Sequence, residues 1–244
     1  MIRNWCLRQD RIEEAVLKIC DFIDSQEKKV KHWKEYSEKD LWFELVSCIL
    51  GSRVRYEVAK ACAMHLRKAG LLDINKLLRH PEKIENKIRK ELNRPIYPPF
   101  SRGNGSKYRY PVSRARYIVN AGIQIYKKDN STIKDILKRC HDGLQAREVL
   151  MEKCPGIGPK QASLFLRNIG FCDSLAILDS HVLRYMELLK LRKRFGDIIS
   201  KKHGRYFMDE NILKIYAANK RKSLATLDMG IWIVMRLIQK GVRL

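Results

Sequence analysis

Two glycines one residue apart, in Cys154-Pro155-Gly156-Ile157-Gly158, followed at once by Pro159, place the tightest constraint on how this chain can fold. Glycine reaches positive φ without steric cost, so Gly156 and Gly158 are each free to take the backbone that a tight reversal requires. Pro159 suits the first position of a helix, where its fixed φ is preorganised and its missing N–H loses no intrahelical partner. Leu144, Val149 and Leu150 before the turn, and Ala162, Phe165, Leu166 and Ile169 after it, recur at helical spacing, and Gly170 stops the run. The stretch reads as two helices joined by a hairpin whose backbone amides can face a phosphate. Lys160 falls near the second residue of the second helix, beside the positive end of its dipole, a setting that favours a free amine able to act as a nucleophile. Downstream, Leu175-Ala176-Ile177-Leu178 is an apolar run expected to be buried, and Asp179 follows it as the N-cap of a helix carrying Val182, Leu183 and Met186. On the residues alone, a solvated surface lysine and a simple helix cap are the plainer readings of Lys160 and Asp179.

Helical periodicity continues on both sides. Ile12, Ala15, Val16, Ile19, Phe22 and Ile23 mark an amphipathic helix that runs out into the basic Lys28-Lys29-Val30-Lys31, and Ser37 with Asp40 opens a helix over Leu41, Leu45, Val46 and Ile49 that ends near Gly51. After Gly51-Ser52-Arg53, Tyr56 to Leu66 forms the next helix, and Leu71 to Arg79 a short one closed by Pro81. Residues 93–107, rich in proline and glycine, are irregular. Lys107, Arg109, Arg114 and Arg116 flank Tyr108 and Tyr110, a mixture of cations and aromatics suited to phosphates and unstacked bases. Three helices follow around Ile118–Ile125, Ile133–Leu137 and Leu144–Leu150. Past Asp179 come a polar connection over Gly196–Arg205, a helix near Ile212–Ala218 and a last helix running to Leu244. No segment reads as a strand, so the fold class is all-α.

Fifty Lys and Arg against 27 Asp and Glu give a formal charge of +23, far more than solubility needs, and a polyanion is the natural partner. The seven cysteines form no Cys-x-x-Cys and the histidines do not cluster, so neither a disulfide framework, a metal nor a cofactor site is expected. The N-terminus lacks the apolar core of a secretion signal and no stretch approaches a membrane span. The protein is therefore expected to act away from membranes, in a cytoplasm with the chromosome or in a nucleus.

The Pro-Gly-Ile-Gly hairpin, the lysine just past it and the aspartate 19 positions later in Asp-Ser-His-Val resemble the helix-hairpin-helix DNA glycosylase superfamily. Gly-Pro-Lys-Gln-Ala-Ser-Leu-Phe-Leu-Arg-Asn-Ile-Gly and Leu-Ala-Ile-Leu-Asp-Ser-His-Val-Leu-Arg are most similar to its type-2 8-oxoguanine DNA glycosylase/lyases. The resemblance implies two helical lobes with the active site between them: residues 1–40 with 171–244, and 41–170 with the helix-hairpin-helix at about 142–170. It implies excision of 8-oxoguanine from double-stranded DNA and β-elimination at the abasic site by a monomer, with Lys160 as nucleophile and Asp179 assisting. Gly156, Ile157 and Gly158 are then expected to hold a phosphate. Arg53 becomes a candidate wedge where related enzymes often carry glutamine. Asp228, Met229 and Trp232 in the last helix become candidates to read the base. The family's iron–sulfur branch is excluded, because no cysteine follows Cys172. A glycosylase for another damaged base, or a non-catalytic DNA-binding helix-hairpin-helix protein, are the competing readings.

Overall fold

The computed structural model describes residues 9–26, 31–96, 107–192, 203–239 and 241. The described residues form α-helices and no strand: α1 (Gln9–Ser25), α2 (Glu38–Leu50), α3 (Tyr56–Lys68), α4 (Ile74–Arg79), α5 (Pro81–Leu92), α6 (Pro111–Ile123), α7 (Ile133–Lys138), α8 (Gly143–Lys153), α9 (Pro159–Asn168), α10 (Ser180–Leu188), α11 (Gly204–Asn219) and α12 (Leu224–Gln239). A π-helical turn, Gln124–Lys128, extends α6. The chain divides into two compact units, one of Met1–Lys29 with Asp173–Leu244 and one of Val30–Cys172.

In the unit of Val30–Cys172, every residue of α2 from Leu41 to Leu50 is buried. A helix apolar on all faces must be surrounded, and α3, α6, α7 and α9 pack around this one. Most of its polar groups are matched, although the buried Trp42 Nε1–H finds no acceptor among the described residues. Glu44 accepts from Lys60 Nζ at 2.7 Å and Asn168 Nδ2 at 2.8 Å, and Ser47 returns its hydroxyl to the Phe43 carbonyl at 2.8 Å. At the N-terminal end, Glu38 accepts from the Tyr126 hydroxyl at 2.7 Å and from the amides of Ile133 and Lys134 at 2.7 and 3.2 Å. It thus caps α7 from another helix. The chain enters this unit earlier than the boundary expected at residue 40. Trp33 packs against Phe171, and the Tyr36 hydroxyl donates to the Asn168 carbonyl, so residues 31–40 belong with the segment they touch.

α5 was not expected from the sequence. Pro81 ends α4 and also occupies the first turn of α5, where a proline costs no hydrogen bond. Ile84, Ile88 and Leu92, spaced by one helical turn, bury one face of it. The basic run at 28–30, most of the irregular 93–107 stretch and the polar connection after Arg192 lie outside the described residues.

The other unit packs α1 on α12, with α10 and α11 closing over them. Ile12, Val16, Cys20, Val182, Tyr185, Met186, Leu213, Leu227, Ile231 and Val234 fill its core. Gly230 permits the α1–α12 crossing, because a Cβ there would stand 2.7 Å from Cys20 Sγ and 3.2 Å from the Val16 carbonyl. Burial pushes the Cys20 thiol up to about 11, so it is a packing group.

Glu38→Ala should cost about 1–3 kcal/mol, because it strands the Tyr126 hydroxyl and two helix-start amides together. Thermal unfolding checks this. Glu38→Gln, which keeps an acceptor oxygen, should recover part of the loss.

Candidate active site

The hairpin is a β-turn in which Pro155 and Gly156 are the central residues. Gly156 takes φ +82° and the Ile157 N–H donates to the Cys154 carbonyl at 3.2 Å. Only one of the two glycines uses positive φ. Gly158 is extended (φ −106°, ψ −177°) and serves as the N-cap of α9, with Pro159 next to it. Gly156 is needed for space as well, since a Cβ on it would collide with the Tyr117 ring. The expectation that Gly156, Ile157 and Gly158 all present amides is corrected at Ile157, whose amide closes the turn. Among the described residues the amides of Gly156 and Gly158 donate to no acceptor, and α9 opens without a side-chain cap.

Lys160 is the second residue of α9 and is half-buried. Its neighbour Gln161 fixes that position, because the buried Gln161 amide donates from Nε2 to the Cys48 carbonyl of α2 at 2.9 Å. Cys48 lies within the electrostatic reach of Lys160. Burial pushes its thiol well up, Glu44 adds to that, and Lys60 and Lys160 oppose it. Within its own unit and among the described residues, Lys160 makes no ion pair, whereas Lys60 is bound to Glu44 at 2.7 Å. Desolvation pulls the Lys60 ammonium down, but its hydrogen bond to Glu44 and the Glu44 charge prevail, and the net shift is upward.

Asp179 is the N-cap of α10. Its Oδ1 accepts the His181 and Val182 amides at 2.8 and 3.0 Å, which orients the carboxylate, and Oδ2 accepts no hydrogen bond among the described residues. The run before it, Leu175 to Leu178, is buried as expected. That run is not a strand: side chains of α11 and α12 take up its backbone groups.

Arg53 is exposed at φ +60° in the turn after α2, a backbone that L side chains rarely adopt. The turn is held from inside. Tyr108, buried, donates to the Leu50 carbonyl at 2.6 Å, and Arg114 donates to the Ser52 carbonyl at 3.1 Å. This corrects the reading of Arg114 as a surface phosphate contact. Its side chain is buried, with the guanidinium over the Tyr110 and Tyr117 rings at 5.4 and 5.3 Å. Tyr117, which the sequence did not single out, therefore touches both Arg114 and the hairpin glycine. Lys107, Arg109 and Arg116 are exposed, Arg109 over the Tyr110 ring at 5.2 Å and Arg116 3.8 Å from Glu85.

In α12, Met229 is exposed, while Trp232 is half-buried with the Arg236 guanidinium 4.7 Å over its ring. Asp228 departs from expectation. It is buried, and its Oδ2 accepts the Ile177 N–H at 2.8 Å, so one oxygen of the carboxylate serves the backbone.

Among the described residues, no group of three or more His, Cys, Asp or Glu could hold a metal ion, and no helix is long and apolar enough to cross a membrane.

The family model described as 8-oxoguanine DNA glycosylase matches residues 23–222. The 8-oxoguanine DNA glycosylase/AP lyase of Sulfolobus acidocaldarius is 32% identical over 197 residues, which are 80% of this chain and 82% of that protein. That of Methanocaldococcus jannaschii is 31% identical over 224 residues, 88% of this chain and 89% of the other. Among solved structures, the 8-oxoguanine DNA glycosylase of Thermotoga maritima is similar with a TM-score of 0.65 at 28% identity, covering 96% of both chains. The M. jannaschii glycosylase/lyase in complex with a 15mer DNA containing 8-oxoguanine gives a TM-score of 0.65 at 28% identity, covering 97% of this chain and 98% of that one. A family model spanning most of the sequence, relatives above 30% identity along most of their own length and a shared helical architecture lead to one conclusion: this chain belongs to the 8-oxoguanine DNA glycosylase family.

Proposed function

We propose that this chain excises 8-oxoguanine from duplex DNA and cuts the strand at the abasic site, with Lys160 as nucleophile and Asp179 as the assisting carboxylate. The observation that carries the assignment is the position of Lys160. It follows directly on a hairpin with open amides, in a chain that matches the glycosylase family over residues 23–222. The base is inaccessible inside the stack, so the nucleotide must leave the duplex before its sugar can be attacked. The amides of Gly156 and Gly158, with the uncapped start of α9, hold a backbone phosphate, and the +23 formal charge supplies general affinity for DNA.

The Lys160 Nζ lone pair forms a bond to C1′ as the bond between C1′ and the base breaks, and the base leaves with that electron pair. Opening of the sugar ring gives an imine. Loss of a C2′ proton then expels the 3′ phosphate by β-elimination. Asp179 accepts the amine proton and offsets positive charge growing on the sugar. Its cap bonds through Oδ1 leave Oδ2 for that work. Arg53, Lys107, Arg109 and Arg116 contact DNA from exposed positions, and Met229 and Trp232 contribute to base recognition. The protein acts as a monomer wherever the genome is kept.

Incubation with a duplex carrying one 8-oxoguanine, followed by borohydride, should trap a covalent protein–DNA adduct. Lys160→Gln should abolish the adduct and both activities while shifting DNA affinity little, since one cation among many contributes little to binding. An adduct that persists in this variant would remove Lys160 from the role.

Trp232→Ala separates two uses of the indole. A ring that stacks on the base supplies about 1–3 kcal/mol of contact, so excision should fall about tenfold while cleavage of a preformed abasic site survives. Equal loss of both activities together with a lower melting temperature would assign Trp232 to packing.

A further inference from the structure

Asp179 stands at the end of a buried segment that is neither helix nor strand. Backbone amides and carbonyls in such a segment must find partners or bear the full cost of desolvation. Here the partners are side chains from two other helices. Glu210 of α11 accepts the Ala176 N–H at 2.9 Å, and Asp228 of α12 accepts the Ile177 N–H at 2.8 Å. The Tyr206 hydroxyl donates to the Ala176 carbonyl at 2.7 Å and accepts the Leu178 N–H at 3.4 Å. The Asp179 N–H closes the series on the Ile177 carbonyl at 2.8 Å. Three polar side chains thus take the place of a neighbouring strand over Ala176–Leu178. Glu210 and Asp228 are both buried, at 8% and 2% exposure. Placing two carboxylates in the interior beside this segment carries a desolvation cost. What it gains is a rigidly placed backbone immediately before the N-cap carboxylate.

We propose that Tyr206, Glu210 and Asp228 are positioning residues for Asp179, holding the 176–178 backbone so that the Asp179 carboxylate meets the reacting centre in one orientation. This rests on the role given to Asp179 above. Displacement of a catalytic group by an ångström costs on the order of a hundredfold in rate, so loss of one anchor registers in the base-release step and not in DNA affinity.

The test is a single-turnover comparison on duplex with one 8-oxoguanine, at a temperature where every variant is folded by circular dichroism. Asp228→Leu and Glu210→Leu are expected to slow base release about tenfold or more, with the dissociation constant for the duplex changed less than about threefold. Asp228→Asn and Glu210→Gln keep an oxygen that accepts the same N–H and should restore most of the rate. If a leucine variant fails to fold, Tyr206→Phe, which removes one hydroxyl from a partly exposed ring, supplies the same reading with a smaller loss. Combined with Asp179→Asn, the Asp228→Leu change should add almost nothing, because a group already disabled cannot be mispositioned further. Full additivity would overturn the proposal. So would wild-type rates in the leucine variants, or an Asp228→Asn variant slowed on 8-oxoguanine but not on a preformed abasic site, which would put Asp228 against the base. Asp179→Asn alone separates the two levels: if it is slow while the leucine variants are not, only the positioning role fails, and if it is itself fast, the role of Asp179 fails.

Discussion

Burial of α2 on every face from Leu41 to Leu50 is the constraint from which the Val30–Cys172 unit follows. A stretch with no face toward water cannot leave a polar group to solvent, and several of those it carries are answered from neighbouring elements. Glu44 draws Lys60 from α3 and Asn168 from the end of α9, the Cys48 carbonyl takes Gln161, and the Leu50 carbonyl takes Tyr108. Each bond fixes a different piece of the surround. The one to Gln161 sets the first turn of α9, and therefore the Cα of Lys160. The one to Tyr108 supports the turn that carries Arg53. The positions of Lys160 and of the exposed Arg53 are thus both set from the same buried helix.

Against 50 basic residues the sequence has 27 acidic ones, and several of these hold backbone or side-chain groups in place. Glu38 caps α7, Asp179 caps α10, Glu44 holds α3 and α9, and Glu210 and Asp228 hold the 176–178 backbone. A carboxylate suits this work because its two oxygens can accept several backbone amides at once. On the outside, Lys107 and Arg109 are exposed, and Arg116 lies 3.8 Å from Glu85.

Much of this was legible in the sequence, because it was written locally. The hairpin, the start of α9 at Pro159 and the capping role of Asp179 follow from residue types within a few positions of one another, and the all-helical architecture follows from apolar periodicity. α5 was equally legible in Ile84, Ile88 and Leu92. It was lost because Pro81 was taken only as a stop, although proline both ends one helix and begins another. What could not be read depends on distant contacts. Arg114 sits among exposed cations in the chain, yet it turns inward because Ser52, Tyr110 and Tyr117 converge on it. Asp228 looks like a polar residue awaiting a ligand until the amide of Ile177, 51 residues earlier, is found at its oxygen. The Ile157 amide was lost to the hypothesis for a subtler reason: the turn that makes the hairpin consumes it.

Packing around α2 also sorts the groups able to attack a sugar. Cys48 is the more intrinsically nucleophilic side chain, but it is 2% exposed and burial pushes its thiol well above the ordinary range, so it holds its proton and cannot meet a substrate. Lys60 is accessible enough, and desolvation alone would favour its neutral form. Glu44 reverses that by hydrogen bond and charge, and an ammonium whose lone pair is occupied by a proton attacks nothing. Lys160 escapes both fates. It is half-buried at the second position of α9 and, among the described residues, is tied to no acid of its own unit. Glu44 thus holds Lys60 in its charged form and ties α3 to α2.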